Sequence, residues 1–184
     1  MNHLDEMSRK IRTLRSSNAV DEMERRWDEE YADRYNDSRL TLRDPAELSG
    51  DYPGGLGEFF SATNGGRFGD IVMRIEKRFR DQVAVDAAGE PIDDRDRVQV
   101  GDVGEDALLL DKESGNILLY HYTYFKHGWD TGVLVECADV PEFIATVALG
   151  SRYREIRGPL SKQSSHWWED DPWYSYLQES GMAE

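Results

Sequence analysis

The chain has 184 residues, 39% hydrophobic and 32% charged, with a net charge of −15 from 37 acidic and 22 basic side chains. That length predicts one domain able to fold without metals or disulfides, and five Trp, nine Tyr and six Phe exclude disorder along the whole chain. The charge excludes nucleic acid, which needs Lys and Arg against its phosphates, and disfavours anionic membranes, but it would attract a basic protein.

In chain order, Leu4, Met7, Ile11 and Leu14 form one stripe of a helix that Asn2 is placed to cap. A second helical stripe follows at Met23, Trp27, Tyr31 and Tyr35. Such stripes face a core or a partner helix, so a homodimer through the N-terminal helices stays open. Asp44-Pro45-Ala46-Glu47 carries the signature of a helix start. Leu56, Phe59, Phe60 and Thr63 have helical spacing, ended by Asn64-Gly65-Gly66.

The period then changes from helical to alternating. Short strands are expected at 71–75, 82–85, 98–103, 107–110, 117–124 and 133–137. Asp111 to Asn116 reads as a hairpin loop, with Gly115 free to take a positive φ. Tyr120, Tyr122 and Tyr124 would share one face of their strand, with His121 and Thr123 on the other. Asp139-Val140-Pro141-Glu142 opens a helix whose apolar face is Phe143, Ile144, Val147 and Ala148. Residues 158–171 read as a loop, and Asp171-Pro172 starts a last helix. Helices, then strands, then helices predict an α+β fold: a mainly antiparallel β-sheet of about five to six strands flanked by helices.

Signatures of chemistry are sparse. No phosphate-binding loop, dinucleotide fingerprint, zinc-protease helix or nucleophile elbow occurs, so no catalytic residue, cofactor or metal is expected. His3, His121, His127 and His166 lack the pairwise spacing of common zinc sites. Cys137 is the sole cysteine, which fits a reducing cytoplasm, and its strand context reads as a small core residue. The N-terminus carries no secretory leader pattern, and no apolar run has the length of a membrane span, so a soluble cytoplasmic protein is expected.

Charge and aromatic rings concentrate in three places. Residues 81–113 hold eleven acids and three bases, among them Asp102, Glu105 and Asp106. A loop between strands carries Trp129 and Asp130. The tail carries Trp167, Trp168, Glu169, Asp170 and Asp171. Aromatic anchors surrounded by charges suit a protein interface. The tryptophans could equally cover the sheet as satellite core.

Several stretches, in order, resemble the SUKH superfamily. Phe59-Phe60 through Asn64-Gly65-Gly66 is similar to its helix-to-Asn-Gly-Gly element. Val100 to Asp111 resembles its glycine-flanked strand ending in Leu-Asp, and Lys112 to Tyr120 the strand after it. Asp139 to Leu149 resembles its late helix, Gly150 to Tyr153 the sequel, and Trp173 to Gly181 the ending of many bacterial members. The resemblance spans roughly residues 27–181, judged by motif order. The chain departs from the family at Asp51 to Leu56, in an acidic 70–97 stretch, and in residues 1–26, which have no counterpart. Residues 1–26 are therefore set apart as an N-terminal helical extension and 27–184 as the α+β domain.

The resemblance implies a non-catalytic protein-binding module. Many bacterial members are immunity proteins that block a toxin, frequently a nuclease. The expected partner is then a basic protein, met by Asp102, Glu105, Asp106, Trp129, Asp130, Trp167, Trp168, Glu169, Asp170 and Asp171. Two alternatives remain: a regulatory or scaffolding SUKH protein with a cellular partner, and a hydrolase using His121 or His127 with a carboxylate within about 3 Å.

Overall fold

A computed structural model describes residues 2–31, 39–48, 50–162 and 166–183. Helix α1 (His3–Ser16) is capped by Asn2, whose side chain accepts a hydrogen bond from Asp5 N at 2.8 Å. Its stripe delivers Met7, Ile11 and Leu14 to the interior. Helix α2 (Ala19–Tyr31) adds Ala19 and Met23. All five belong to the same apolar cluster as the sheet, so the stripe that a dimer seam would use at Met7, Ile11 and Leu14 is occupied within the chain. The side chains of Trp27 and Tyr31, and Tyr35 altogether, lie outside the described residues.

The sheet holds eight antiparallel strands, two more than the upper expectation, in an α+β arrangement. The order is β1 (Leu40–Leu42), β2 (Gly66–Phe68), β3 (Ile71–Met73), β5 (Arg97–Val103), β6 (Asp106–Asp111), β7 (Ile117–Tyr120) and β8 (Val133–Cys137), with β4 (Arg80–Asp81) paired to β5. Strands β1 and β2 are not legible in the sequence, because Leu40–Leu42 offers a single alternation and Gly66 reads as part of the Asn64-Gly65-Gly66 helix end.

Four expected elements differ. No helix forms at Asp44-Pro45. Helix α3 (Leu56–Ala62) leaves acceptors at its C-terminal end without helical partners, and the 43–46 backbone runs past to meet a carbonyl and the Thr63 hydroxyl there. Ala46 N donates to Phe60 O at 3.0 Å, and Arg43 N to Thr63 Oγ1 at 3.0 Å. The strand expected at 82–85 is reduced to β4 just before it and a lone bridge between Val85 and Pro91. The strand at 117–124 stops at Tyr120, where the chain turns into a 3-10 segment, Tyr124–His127. The expected loop from 158 is also partly helical, since 3-10 turns run over Ser151–Lys162 and break at Gly158.

The hairpin of β6 and β7 forms as expected, with Gly115 at φ 79°. Asp111 Oδ1 accepts from Glu113 N and Ser114 N and fixes the loop. Glycine is required at Gly115 and Gly54 for a second reason: their backbones touch, and a Cβ on Gly54 would sit 2.3 Å from Gly115 O. Gly54 O also accepts from Val140 N at 2.8 Å, tying the start of α3 to helix α4 (Val140–Glu142), which continues as a π-helical turn over Phe143–Ala148. Asp139 caps α4 through Glu142 N at 2.7 Å, as its sequence predicts.

Lys10 locks this helical side. It is 3% exposed, yet its Nζ donates to Ala145 O, Leu149 O and Met182 O at 2.8–2.9 Å and pairs with Glu6 at 3.0 Å. One ammonium therefore satisfies carbonyls at the end of the 140–148 helix and in the C-terminal tail. Helix α5 (Pro172–Glu179) closes the core with Trp173, Tyr174 and Leu177.

The opposite face of the sheet carries a second, smaller core. Ala84, Ala107, Leu109, Leu118 and Tyr120 pack there, with Tyr122, Tyr124 and Val133 against them. Tyr120 and Tyr122 donate to Val85 O and Val83 O at 2.7 and 3.0 Å, which straps the acidic 82–96 segment over β5 to β7. The three tyrosines still share one face, although β7 has ended before two of them.

Candidate functional site

The acidic side chains of the 81–113 segment that were singled out converge at one end of the sheet, around the turn from β5 to β6. Gly104, at φ 59°, makes the turn and leaves Glu105 exposed. Asp102 sits on the outward face of β5. It accepts from Arg74 at 3.0 Å and from Gln99 Nε2 at 2.6 Å. Asp106 follows the turn and meets His121 Nδ1 at 2.5 Å. Burial raises the Asp106 pKa above the ordinary aspartate range, and the His121 contact opposes that rise.

His121 organises an aromatic stack. Its Nε2 lies 3.2 Å from Thr123 Oγ1. Its ring centroid is 5.1 Å from Trp129 and 5.3 Å from His127, and Trp129 and His127 stack at 4.9 Å. The sequence placed His121 and Trp129 eight residues apart with no reason to join them; the turn at 121–128 does so. Asp130 follows Trp129 and is exposed.

A groove of about 610 Å³ opens beside this cluster, with Asp70, Asp102, Asp106 and Arg157 among its lining side chains. Asp70 binds Arg39, and Arg157 reaches it at 3.3 Å. The Arg157 guanidinium lies 4.3 Å from the Trp167 ring, an attraction between a cation and a π face. Trp167 also packs on Tyr153 at 5.6 Å. Thus Asp102 and Asp106 line one groove with Arg157, on which Trp167 packs, while Glu105 follows the turn at Gly104 and Trp129 is linked to Asp106 through His121.

The rest of the tail divides. Trp168 stacks on His166 at 4.8 Å, touches Trp167 ring to ring at 6.1 Å and is half-buried against the main core, while His166, whose Nδ1 lies 2.6 Å from Glu169, and Glu169 are exposed. Asp170 is exposed. Asp171 is not a free surface acid: it is buried and caps α5, accepting from Tyr174 N at 2.9 Å. Burial, its largest influence, pushes its pKa up to about 6.

Asp70, Arg39 and Arg157 were not anticipated. They come from separate parts of the chain, 31 and 87 residues from one another through Asp70, and no local spacing links them. Cys137 is buried in the core, and burial pushes its thiol up to about 11, away from nucleophilic chemistry. Among the described residues, no group of three or more His, Cys, Asp or Glu could hold a metal ion, and no helix is long and apolar enough to cross a membrane. No family model, curated protein or solved structure matches the chain.

Proposed function

We propose that this protein works in the cytoplasm by binding another protein, as a SUKH-type module that neutralises a basic toxin without chemistry of its own. The observation that carries the reading is that Asp102, Glu105 and Asp106 gather at one end of the sheet, with Trp129 linked to Asp106 through His121 and Trp167 packed on Arg157 of the adjoining groove. Fixed rings offer contact area at little cost in side-chain entropy, and acids around them steer a cationic partner. A nuclease toxin would present the cations it uses on phosphates, so occlusion of that surface needs no covalent step.

The test is co-purification with the product of the neighbouring gene, using Glu105→Gln, Trp129→Ala and Trp167→Ala. Weakened capture, with an association rate that falls as salt rises, is expected. Full capture by all three variants moves the interface elsewhere. No capture, with no rescue of cells expressing the neighbour, removes the toxin partner and favours a regulatory one.

One observation favours a second reading. Asp106, His121 and Thr123 follow one another at 2.5 and 3.2 Å, the order of acid, base and hydroxyl in acyl transfer. Hydrolysis of activated esters that disappears in both His121→Gln and Thr123→Val would establish it. Equal rates in the wild type and variants would leave the relay as a device that holds the Trp129 stack.

A further inference from the structure

A second groove, of about 820 Å³, lies on the outward face of the same sheet, and its charge is opposite to that of the chain. Its floor follows from strand register. Thr41 pairs with Arg67, Arg67 with Val72, and Val72 with Asp102, so these four form a row across β1, β2, β3 and β5. Alternation sends Leu40, Phe68, Ile71 and Met73 to the core and this row to the other side. Arg43 and Arg74 lie two residues beyond Thr41 and Val72 and extend it. The 3-10 turn Glu76–Arg78 and strand β4 form the wall, bringing Lys77, Arg78 and Arg80.

Six cations therefore line the groove against one carboxylate, Asp102, and that one is already held by Arg74 and Gln99. Arg43, Lys77, Arg78 and Arg80 are exposed and have no carboxylate partner among the described residues, in a chain with 37 acids to offer. Several cations elsewhere are paired with acids, Arg97 with Asp93, Lys112 with Asp81 and Asp96, and Arg26 with Glu22 and Glu179, while others such as Arg9 and Arg12, unpaired among the described residues, stand exposed on α1 and line neither groove. Glu76 adds a second carboxylate beside these cations, hydrogen-bonded by Tyr52 Oη, and the six cations still outnumber the two acids. Bringing Arg43, Lys77, Arg78 and Arg80 together at one groove costs folding energy through like-charge repulsion, and an anion would offset it.

We infer that this groove binds a small ligand carrying two or more adjacent phosphates. Five of its six cations are arginines, whose planar forks match phosphate oxygens. Its volume lies within the roughly 300–1,000 Å³ of small-molecule sites. A long polyanion is opposed by the −15 of the whole chain, whereas a compact one is held inside the local field. Phe79 and Ile75 supply apolar wall beside the cations, and Phe79 is fixed by stacking on Phe60 at 5.7 Å.

The experiment is calorimetric titration of the full chain with tripolyphosphate, ATP and a hexaglutamate peptide in magnesium-free buffer. Both phosphate probes are expected to bind, and to weaken about tenfold or more in Arg78→Gln/Arg80→Gln, as loss of charged hydrogen bonds requires. Arg9→Gln/Arg12→Gln, which removes equal charge from exposed α1 positions, is expected to bind as the wild type does. Equal affinity for the two probes identifies a phosphate-chain site; tighter ATP binding identifies a nucleotide site that uses Phe79. No binding of either probe, binding lost equally in both double variants, or binding of hexaglutamate alone overturns the inference.

Discussion

The two faces of the sheet are built from alternate residues of the same strands, yet they are finished differently. One is sealed under α1, α3, the 140–148 helix and α5 by a continuous apolar cluster and by Lys10. The other is sealed only over β5 to β7, by a strap and a few tyrosines, and is open and cationic over β1 to β3. A face that must fold is filled; a face left for binding keeps charges that its own fold does not neutralise. The groove of Asp70, Asp102 and Asp106 and the basic groove meet along a shared edge, since Arg67, Val72 and Asp102 line both.

Variants graded across the two faces sharpen this contrast. The largest loss is expected from Lys10→Met on the sealed side. It leaves three buried carbonyls without a donor, and should cost about 3–5 kcal/mol in urea unfolding. A loss under about 1 kcal/mol would show that water replaces the ammonium.

Leu119 and Leu118 are chain neighbours on opposite faces, 0% and 5% exposed. Leu119→Ala should cost about 4 kcal/mol and Leu118→Ala about 2 kcal/mol, because the thinner layer collapses more readily around a cavity. Equal losses would make the two cores equivalent.

Asp171 gives a smaller, pH-dependent effect. Its folded pKa of about 6 lies above the ordinary 3.8, so the protonated form favours the fold. Wild-type stability should rise as pH falls from 7 to 5. Asp171→Asn stays neutral and can still cap, so it should lose that rise and match or exceed the wild type at pH 7. Asp171→Ala should cost about 1 kcal/mol by losing the cap. Thermal melts of the three proteins at pH 5 and 7 separate charge from cap. The smallest effect is expected at Val72, 37% exposed on the open face, where Val72→Thr should fall within about 0.5 kcal/mol in the same melts.

The elements read most directly from sequence were those with local causes. Asn2, Asp139 and Asp171 each cap the helix that follows, because a side-chain acceptor two or three residues ahead of free N–H groups needs nothing else. The Asp111 to Asn116 hairpin carried its own turn chemistry. Asp44-Pro45 had the same local signal and failed, since acceptors at the C-terminal end of α3 competed for its backbone. Asp171 carries two readings in the sequence, helix start and partner-facing acid, and the fold keeps only the first, because its carboxyl is buried against α5.

By itself, then, the sequence determined the α+β class, the helix caps, the hairpin and the acids and rings from which a binding site could be drawn. These rest on periodicity, capping and composition, which act within a few residues. Only the tertiary structure decided which of those residues meet. It joined Asp106 to His121 and Trp129, set Trp167 on Arg157, and gathered arginines from β2, β4, the 3-10 turn and the residues just after β1 and β3 into one groove. Strand order and register make those contacts, and they depend on pairings between segments far apart in the chain that no local pattern encodes.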